Sequence, residues 1–525
     1  MKIKAQKIDE LISRLDLIVK ETTAFKKKYA SELAAVHPNY KYSALNLVHY
    51  LALRNHDIRD LQKKLGYLGL SRMAKTEPHV MASLNHTRLM LNRLKGNLDD
   101  IPGKQAISIK KSIKLMRSNT RALFGNRPQG RRTRIMVTLP AEASTDYPLV
   151  LQLLQEGMNV ARINCAHDTS EVWEGIIVNI HQAERETGKS CKIVMDLAGP
   201  KLRTGSIVAP PAAEHTPEQN DPHRACTPEE TRAGIAAATP YILLKTDDTL
   251  VLHRDPAPGE PARTDDTGTV IQPAHISCTF PSIFERVKAG EPILFDDGKI
   301  AGTIQSVSDG EIILRITRAK PAGSKLRADR GINLPESDLS LSGLTGKDRQ
   351  DLEFIAHYAD MVNLSFVNDP SAVQRLLDAL AGLHAEIGLI VKIETRKGYS
   401  NLPGILLTAM KTYPVGVMIA RGDLAIECGW ENMARIQQEI LRICEAAHLP
   451  DIWATQVLEN LAKKGLPSRA EITDAALSQQ AECVMLNKGD HIFEAIRLLD
   501  TIIRDTENYQ DKMAPLSPEL KTSLK

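Results

Sequence analysis

Eight short apolar runs, each followed by a stretch with helical spacing, constrain this chain more than any other feature. They are TRIMVTLP (133–140), NVARINC (159–165), CKIVMDL (191–197), MVNLSF (361–366), GLIVKIE (388–394), VGVMIA (415–420), DIWATQ (451–456) and ECVMLN (482–487). The runs are nearly continuous in apolar character, which is the habit of strands buried on both faces of a parallel sheet. Between them, SEVWEGIIVNIHQAERE, SAVQRLLDALAGLHAEI and ENMARIQQEILRICEAA carry apolar residues three and four apart, as amphipathic helices do. Eight such units predict an α/β fold of the (β/α)8 TIM-barrel type. A doubly wound open sheet satisfies the same count, because counting units does not show closure.

A chain of 525 residues exceeds what one core holds, and its texture changes along its length. Residues 1–130 predict a helical N-terminal extension and linker. IDELISRLDLIV, SALNLVHYLALR, DIRDLQKKLGYLGL and ASLNHTRLMLNRLKGNL repeat helical spacing, with Ser43 as a candidate cap, a break at Gly66, Gly69 and Ser71, and a stop at Gly96. DIRDLQKKLGYLGLS also has the outline of a helix-turn-helix, a pattern equally common in plain helical hairpins. Residues 101–130, bounded by Pro102-Gly103 and by Pro128 and Gly130, read as a linker. The barrel is predicted over 131–205 and 331–525. The interruption at 206–330 is rich in Pro, Thr, Gly and Asp, with short alternating runs such as TLVLHR, and predicts a small inserted β-domain. Its place after the third strand suggests a lid over the strand ends. Within it, PPAAEHTPEQNDPHRACTPEETR has no periodicity and reads as a mobile loop.

Composition narrows the function classes. No run is long enough to span a bilayer, and MKIKAQKIDELISRL lacks the apolar centre of a signal peptide. Seven scattered Cys without a C-x-x-C pair argue for reduced thiols and against a disulfide frame or zinc site, which suits a cytoplasmic protein. The net charge is +3, but residues 1–130 hold 25 Lys and Arg against 10 Asp and Glu, so the remainder is net acidic. A solvated helical face docked on an acidic body accounts for this excess more simply than nucleic acid or membrane binding.

Barrel chemistry uses the carboxyl ends of strands, and here those ends are polar. The second run ends in Arg162 and Asn164, with His167 just beyond, and the third in Asp196. The fifth carries Lys392 and Glu394 on one side, because strand residues two apart point the same way. The sixth leads into Gly422-Asp423, where a new helix would offer free N–H groups to an anion, and the seventh ends in Thr455 and Gln456. Glu394 and Asp423 are hard oxygen donors suited to Mg2+ or Mn2+. Lys392 can neutralise a phosphoryl group or an enolate, and Arg162 and Arg203 can grip phosphate in a fork. Together they make a set for phosphoryl transfer that needs no covalent nucleophile.

These segments resemble the pyruvate kinase family. GMNVARINCAHD, MDLAGPKLRTG, FDDGKI, GINLP with LTGKDRQDLEFI, VKIE, MIARGDLAIE and WATQVLENL are similar to that family's signatures, in the same order, over roughly residues 131–508. The resemblance implies transfer of phosphate from phosphoenolpyruvate to ADP, giving pyruvate and ATP in glycolysis. It implies Arg162, Lys392 and Thr455 as catalytic residues, with Thr455 near the carbon that is protonated. Glu394 and Asp423 would hold the divalent metal, and the backbone of Ala420, Arg421 and Gly422 would receive the substrate carboxylate. Asn164, His167, Arg203 and Arg330 would contact nucleotide phosphates, the last where the family usually has Lys.

The departures cluster. Of the family's potassium ligands the chain keeps Asn164 and Asp196 but has Ala166 and Leu197 in the other two places, and Lys201 replaces a usual Glu. A tethered ammonium there implies that K+ is not required. Ala198 stands where the family commonly has Lys, and Asn487-Lys488-Gly489-Asp490 replaces an S-G-E-T loop. The family's C-terminal domain is expected to be missing, together with its sugar-phosphate response, and the helical extension is expected to replace homo-oligomer contacts. A catalytically weakened paralogue that binds phosphoenolpyruvate or nucleotide is the alternative; retention of Lys392, Glu394 and Asp423 favours the enzyme. Another phosphoenolpyruvate-using barrel enzyme is disfavoured by the inserted domain and FDDGKI.

Overall fold

The computed structural model describes residues 5–97, 107–208, 240–337, 339, 343–512 and 514–515. The chain forms two compact units, Met1–Pro200 with Ser342–Lys525, and Lys201–Leu341. The aperiodic segment PPAAEHTPEQNDPHRACTPEETR lies outside the described residues.

In the first unit the eight apolar runs are the strands β1 (Arg134–Thr138), β2 (Val160–Asn164), β3 (Lys192–Asp196), β4 (Met361–Leu364), β5 (Gly388–Ile393), β6 (Val415–Ala420), β7 (Asp451–Ala454) and β8 (Cys483–Leu486). Each pairs in parallel with the next, and β8 closes on β1 with Arg134 opposite Cys483. Closure excludes the open sheet. Every residue of β1, β4, β5, β6, β7 and β8 is buried, which is why these strands show little alternation in sequence. Met136, Val160, Val194, Met361, Ile390, Met418, Ile452 and Cys483 form one core cluster inside the barrel.

The helix Ile109–Phe124 corrects the linker expectation for 101–130. Ser108 caps it, its Oγ accepting from Lys111 N at 3.2 Å. Leu123 and Phe124, in the last turn, join the barrel-interior cluster. Gly388 and Gly416, at the start of β5 and β6, make room for this plug: a Cβ on either would meet Leu123 at 2.9 or 2.5 Å. The helix was hidden in sequence because its buried face includes Ser112, Asn119 and Thr120 among the apolar residues.

The helices Ala5–Phe25, Lys41–Arg54 and Val80–Leu94 pack on one another to form the predicted bundle. Buried hydrogen bonds join it to the barrel. Tyr40 Oη accepts from Val415 N at 2.8 Å, and Asn46 Nδ2 donates to Ala446 O at 2.8 Å. Ser43 is not a cap: it is buried within Lys41–Arg54, with its Oγ 3.1 Å from His448 Nδ1. Nor is DIRDLQKKLGYLGLS a helix-turn-helix. It holds one helix, Arg59–Tyr67, and the next α-helix begins only at Val80.

The second unit is a β-domain. Its six-stranded sheet runs in the order Ile332–Asn333, Pro292–Phe295, Ile300–Val307, Glu311–Arg318, Thr249–His253, Ala274–Ser277. Leu250, Ile276, Ile293, Phe295, Ile312 and Leu314 supply its core. FDDGKI forms the turn between two of these strands, with Asp296, Asp297 and Gly298 all at positive φ.

Candidate active site at the strand ends

Four charged side chains meet at the carboxyl ends of β2, β3 and β5. Asp196, on β3 and 1% exposed, accepts on Oδ2 from Arg162 Nη2 at 2.7 Å and Nε at 3.1 Å. Lys392 Nζ lies 3.3 Å from the same Oδ2 and 3.2 Å from Glu394 Oε1. Burial alone would raise the Asp196 carboxyl; Arg162 and Lys392 outweigh it and hold the group below its ordinary range. For Lys392, burial would lower the ammonium, and Glu394 with Asp196 reverses this and holds it above its ordinary value. Two carboxylates and two cations thus face each other in a nearly dry site, and these contacts favour the charged forms of Asp196 and Lys392.

Uncharged neighbours set the orientation. Thr138 Oγ1 accepts from Arg162 Nη1 at 2.9 Å, and Asn363 Nδ2 donates to Asp196 Oδ1. Ser365 Oγ receives Lys392 Nζ at 2.9 Å and donates to Leu197 O at 2.7 Å. Glu394 Oε2 accepts from Phe366 N at 2.5 Å. These partners are absent from the sequence-based set of site residues. A signal for two of them was present, since Asn363 and Ser365 stand two apart in MVNLSF and so share a face at the end of β4.

The helix Arg421–Cys428 starts directly after β6, with no side-chain cap at Ala420. Its first-turn N–H groups therefore face the strand ends without a capping side chain. One is engaged: Gly422 N donates to Thr455 Oγ1 at 2.9 Å. The Arg421 side chain is held away from ligand duty. It pairs with Asp474, donates to Ala454 O at 2.9 Å and lies 4.6 Å from the Trp453 ring centre. Asp474 comes from a helix distant in sequence, and no pattern pointed to it. Thr455 and Gln456 adopt φ of +65° and +57°; for a β-branched residue this is costly backbone, of the kind that concentrates at functional sites.

Asn164 Oδ1 accepts from Ala166 N at 3.2 Å, and Asn164 lies in register with Asp196. His167 is exposed, just beyond β2. Gly489, in the Asn487–Asp490 loop, packs so closely that a Cβ would stand 2.2 Å from Ala462 O. In the β-domain, Arg203 and Arg330 are brought together on adjacent backbone: Thr204 N donates to Arg330 O at 2.9 Å, and Arg330 N to Thr204 Oγ1 at 2.9 Å. Arg203 Nη1 donates to Asp329 O at 3.0 Å, and Arg330 Nη1 lies 3.6 Å from Asp296. Lys201 runs across Gly331 of the same unit.

Among the described residues no group of three or more His, Cys, Asp or Glu side chains is arranged to hold a metal ion. A metal bound through Glu394 and the half-buried Asp423 would therefore complete its shell with water and substrate, the habit of Mg2+. Both donors are hard carboxylates, and the set fits such an ion. No described helix is long and apolar enough to cross a membrane.

Comparison with known proteins gives a consistent result. The family model described as pyruvate kinase, barrel domain, matches residues 130–233 and 261–492. A pyruvate kinase of Geobacillus stearothermophilus is 32% identical over 406 residues, 75% of this chain and 60% of that protein. One from Dictyostelium discoideum is 30% identical over 72% of this chain and 66% of its own length. One from Methylorubrum extorquens is 31% identical over 72% and 69%. The crystal structure of a pyruvate kinase from Cryptosporidium parvum superposes with a TM-score of 0.60 at 25% identity, covering 73% of this chain and 70% of that one. The chain thus spans 60% and 66% of the length of the first two relatives.

Proposed function

The chain belongs to the pyruvate kinase family, and on that premise we propose that it transfers a phosphoryl group from phosphoenolpyruvate to ADP. The enol-phosphate P–O bond breaks, a P–O bond to the ADP β-phosphate forms, and the enolate takes a proton on carbon to give pyruvate. The observation that carries this reading is the contact cluster of Arg162, Asp196, Lys392 and Glu394. A binding-only protein has little use for an ammonium held charged in a dry site by two carboxylates.

Lys392 presents its ammonium to the bridging oxygen and stabilises charge as it moves onto the enolate. Arg162, fixed by Asp196 and Thr138, holds the phosphoryl oxygens in the transfer geometry. The uncapped start of Arg421–Cys428 receives the substrate carboxylate, which shares the Gly422 N–H with Thr455. Because Thr455 Oγ1 accepts from that N–H, its own proton is free to serve the carbon that becomes the methyl group. Glu394 and Asp423 hold Mg2+ or Mn2+, which supplies positive charge to the substrate oxygens when bound. Asn164 and His167, and on the β-domain Arg203 and Arg330, contact nucleotide phosphates. Assembly as a homo-oligomer belongs to the same proposal.

Independence from K+ rests on Ala166, Leu197 and Lys201, which remove two oxygen ligands and replace a carboxylate with an ammonium. A coupled pyruvate assay with phosphoenolpyruvate, ADP and Mg2+ tests both claims. Turnover should vanish in Lys392→Met and should be unchanged when tetramethylammonium replaces K+. Equal rates in wild type and Lys392→Met would refute the activity, and strong activation by K+ would refute the cation claim.

A further inference from the structure

A cavity of about 490 Å3 lies between the N-terminal bundle and the barrel helix Trp430–Ala447. Tyr50, Arg54, Arg59, Met73, Glu77 and Arg442 are among its lining residues. Three guanidinium groups therefore face one space, and they differ in how well they are satisfied. Arg59 is clasped by Asp57, with Nη2 2.6 Å from Oδ2. Arg442 has Glu77 only at 3.9 Å, beyond hydrogen-bond reach. Arg54 makes no ion pair or side-chain hydrogen bond among the described residues.

We propose that this cavity binds a small organic phosphate, with Arg54 and Arg442 gripping the phosphate and Tyr50 with Met73 forming the wall against its organic part. The volume is that of a metabolite pocket and exceeds the needs of a bare inorganic ion. Guanidinium forks match phosphate oxygens two at a time, so exposed arginines without close carboxylates are suited to such a ligand. The Tyr50 hydroxyl is pushed up to about 12, mainly by burial, and stays a neutral hydrogen-bond donor at physiological pH. Glu77 is the opposing group: its carboxylate interacts with both Arg54 and Arg442 and competes with an incoming anion. The pocket uses none of the residues of the strand-end site, and its occupancy does not depend on the activity proposed for that site.

Equilibrium dialysis of the full chain with pyrophosphate, in EDTA to exclude metal-dependent binding, tests the proposal. Wild type and Lys392→Met should bind alike. Arg54→Ala with Arg442→Ala should lose one bound equivalent per chain, the affinity falling roughly tenfold or more. Glu77→Gln should bind several-fold more tightly, a direction that mere loss of structure does not produce. Both arginines are exposed, so the double variant should melt as wild type does. Failure of wild type to bind, unchanged binding in the double variant, or weaker binding in Glu77→Gln would each overturn the assignment.

Discussion

Asp196→Asn removes the one carboxylate that both Arg162 and Lys392 share. The cations lie 2.7 and 3.3 Å from its Oδ2, and at an effective dielectric near 20 each contact is worth about 5 to 6 kcal/mol before desolvation is counted. Most of that offsets the cost of burying the charges, so the expected net loss is about 3 to 5 kcal/mol, as for other buried pairs broken from one side. The chain's three tryptophans, Trp173, Trp430 and Trp453, all belong to the barrel unit, so tryptophan fluorescence during urea unfolding reports that unit alone. The midpoint should fall by about 1 M at pH 7, given the slope expected for a domain of this size. The pH dependence is a second constraint. The folded Asp196 carboxyl lies below its ordinary value of 3.8, so its contribution is fully present above that pH and is lost as pH falls through the folded value. The gap between wild type and variant should stay flat from about pH 8 to 5 and narrow only below about 4. Equal midpoints, or a gap that closes between pH 7 and 5, would refute the view that this charge organises the site. Turnover should fall about a hundredfold as Arg162 loses its orientation.

Three further outcomes follow from the packing. Asp451→Asn should stabilise the chain at pH 7 by about 1 to 2 kcal/mol: both side-chain oxygens are buried without a partner in the described structure, and burial followed by the Glu482 carboxylate pushes the group far up. Because that shift is upward, the gain should appear as pH rises above the ordinary carboxyl value and vanish below it; an unchanged or lower urea midpoint at pH 7 would count against it. Gly489→Ala should cost about 1 to 3 kcal/mol, since the new Cβ meets a backbone oxygen that cannot swing aside, and a thermal midpoint equal to wild type would show the loop moves freely. Tyr40→Phe leaves the buried Val415 N–H without its acceptor and should cost about 1 to 3 kcal/mol, read as faster hydrogen exchange at Val415; unchanged exchange would mean water replaces the phenol.

Much of the barrel was legible because each strand had to be apolar on both faces. All eight runs became strands, and VGVMIA became β6 from its first residue to its last. The strand ends were legible because Lys392 and Glu394 stand two apart and Asp423 follows a strand by three residues. The helix Ile109–Phe124 was not legible, since its buried face mixes Ser, Asn and Thr with apolar residues and its flanks carry Pro and Gly. The helix-turn-helix outline failed for the converse reason: local spacing resembled two helices, but only Arg59–Tyr67 has a buried face, at Leu61 and Leu65.

By itself, then, the sequence determined the α/β class, the strand–helix count, the inserted β-domain and the strand ends at which polar chemistry gathers. These depend on periodicity and residue type, which are local. Tertiary structure alone decided that the sheet closes, that Leu123 and Phe124 plug its interior, and that Asn363, Ser365 and Thr138 orient the charged cluster. It also decided that Arg421 is held by Asp474 instead of facing substrate. Each of these is a contact between residues far apart in the chain, and no local pattern carries such a contact.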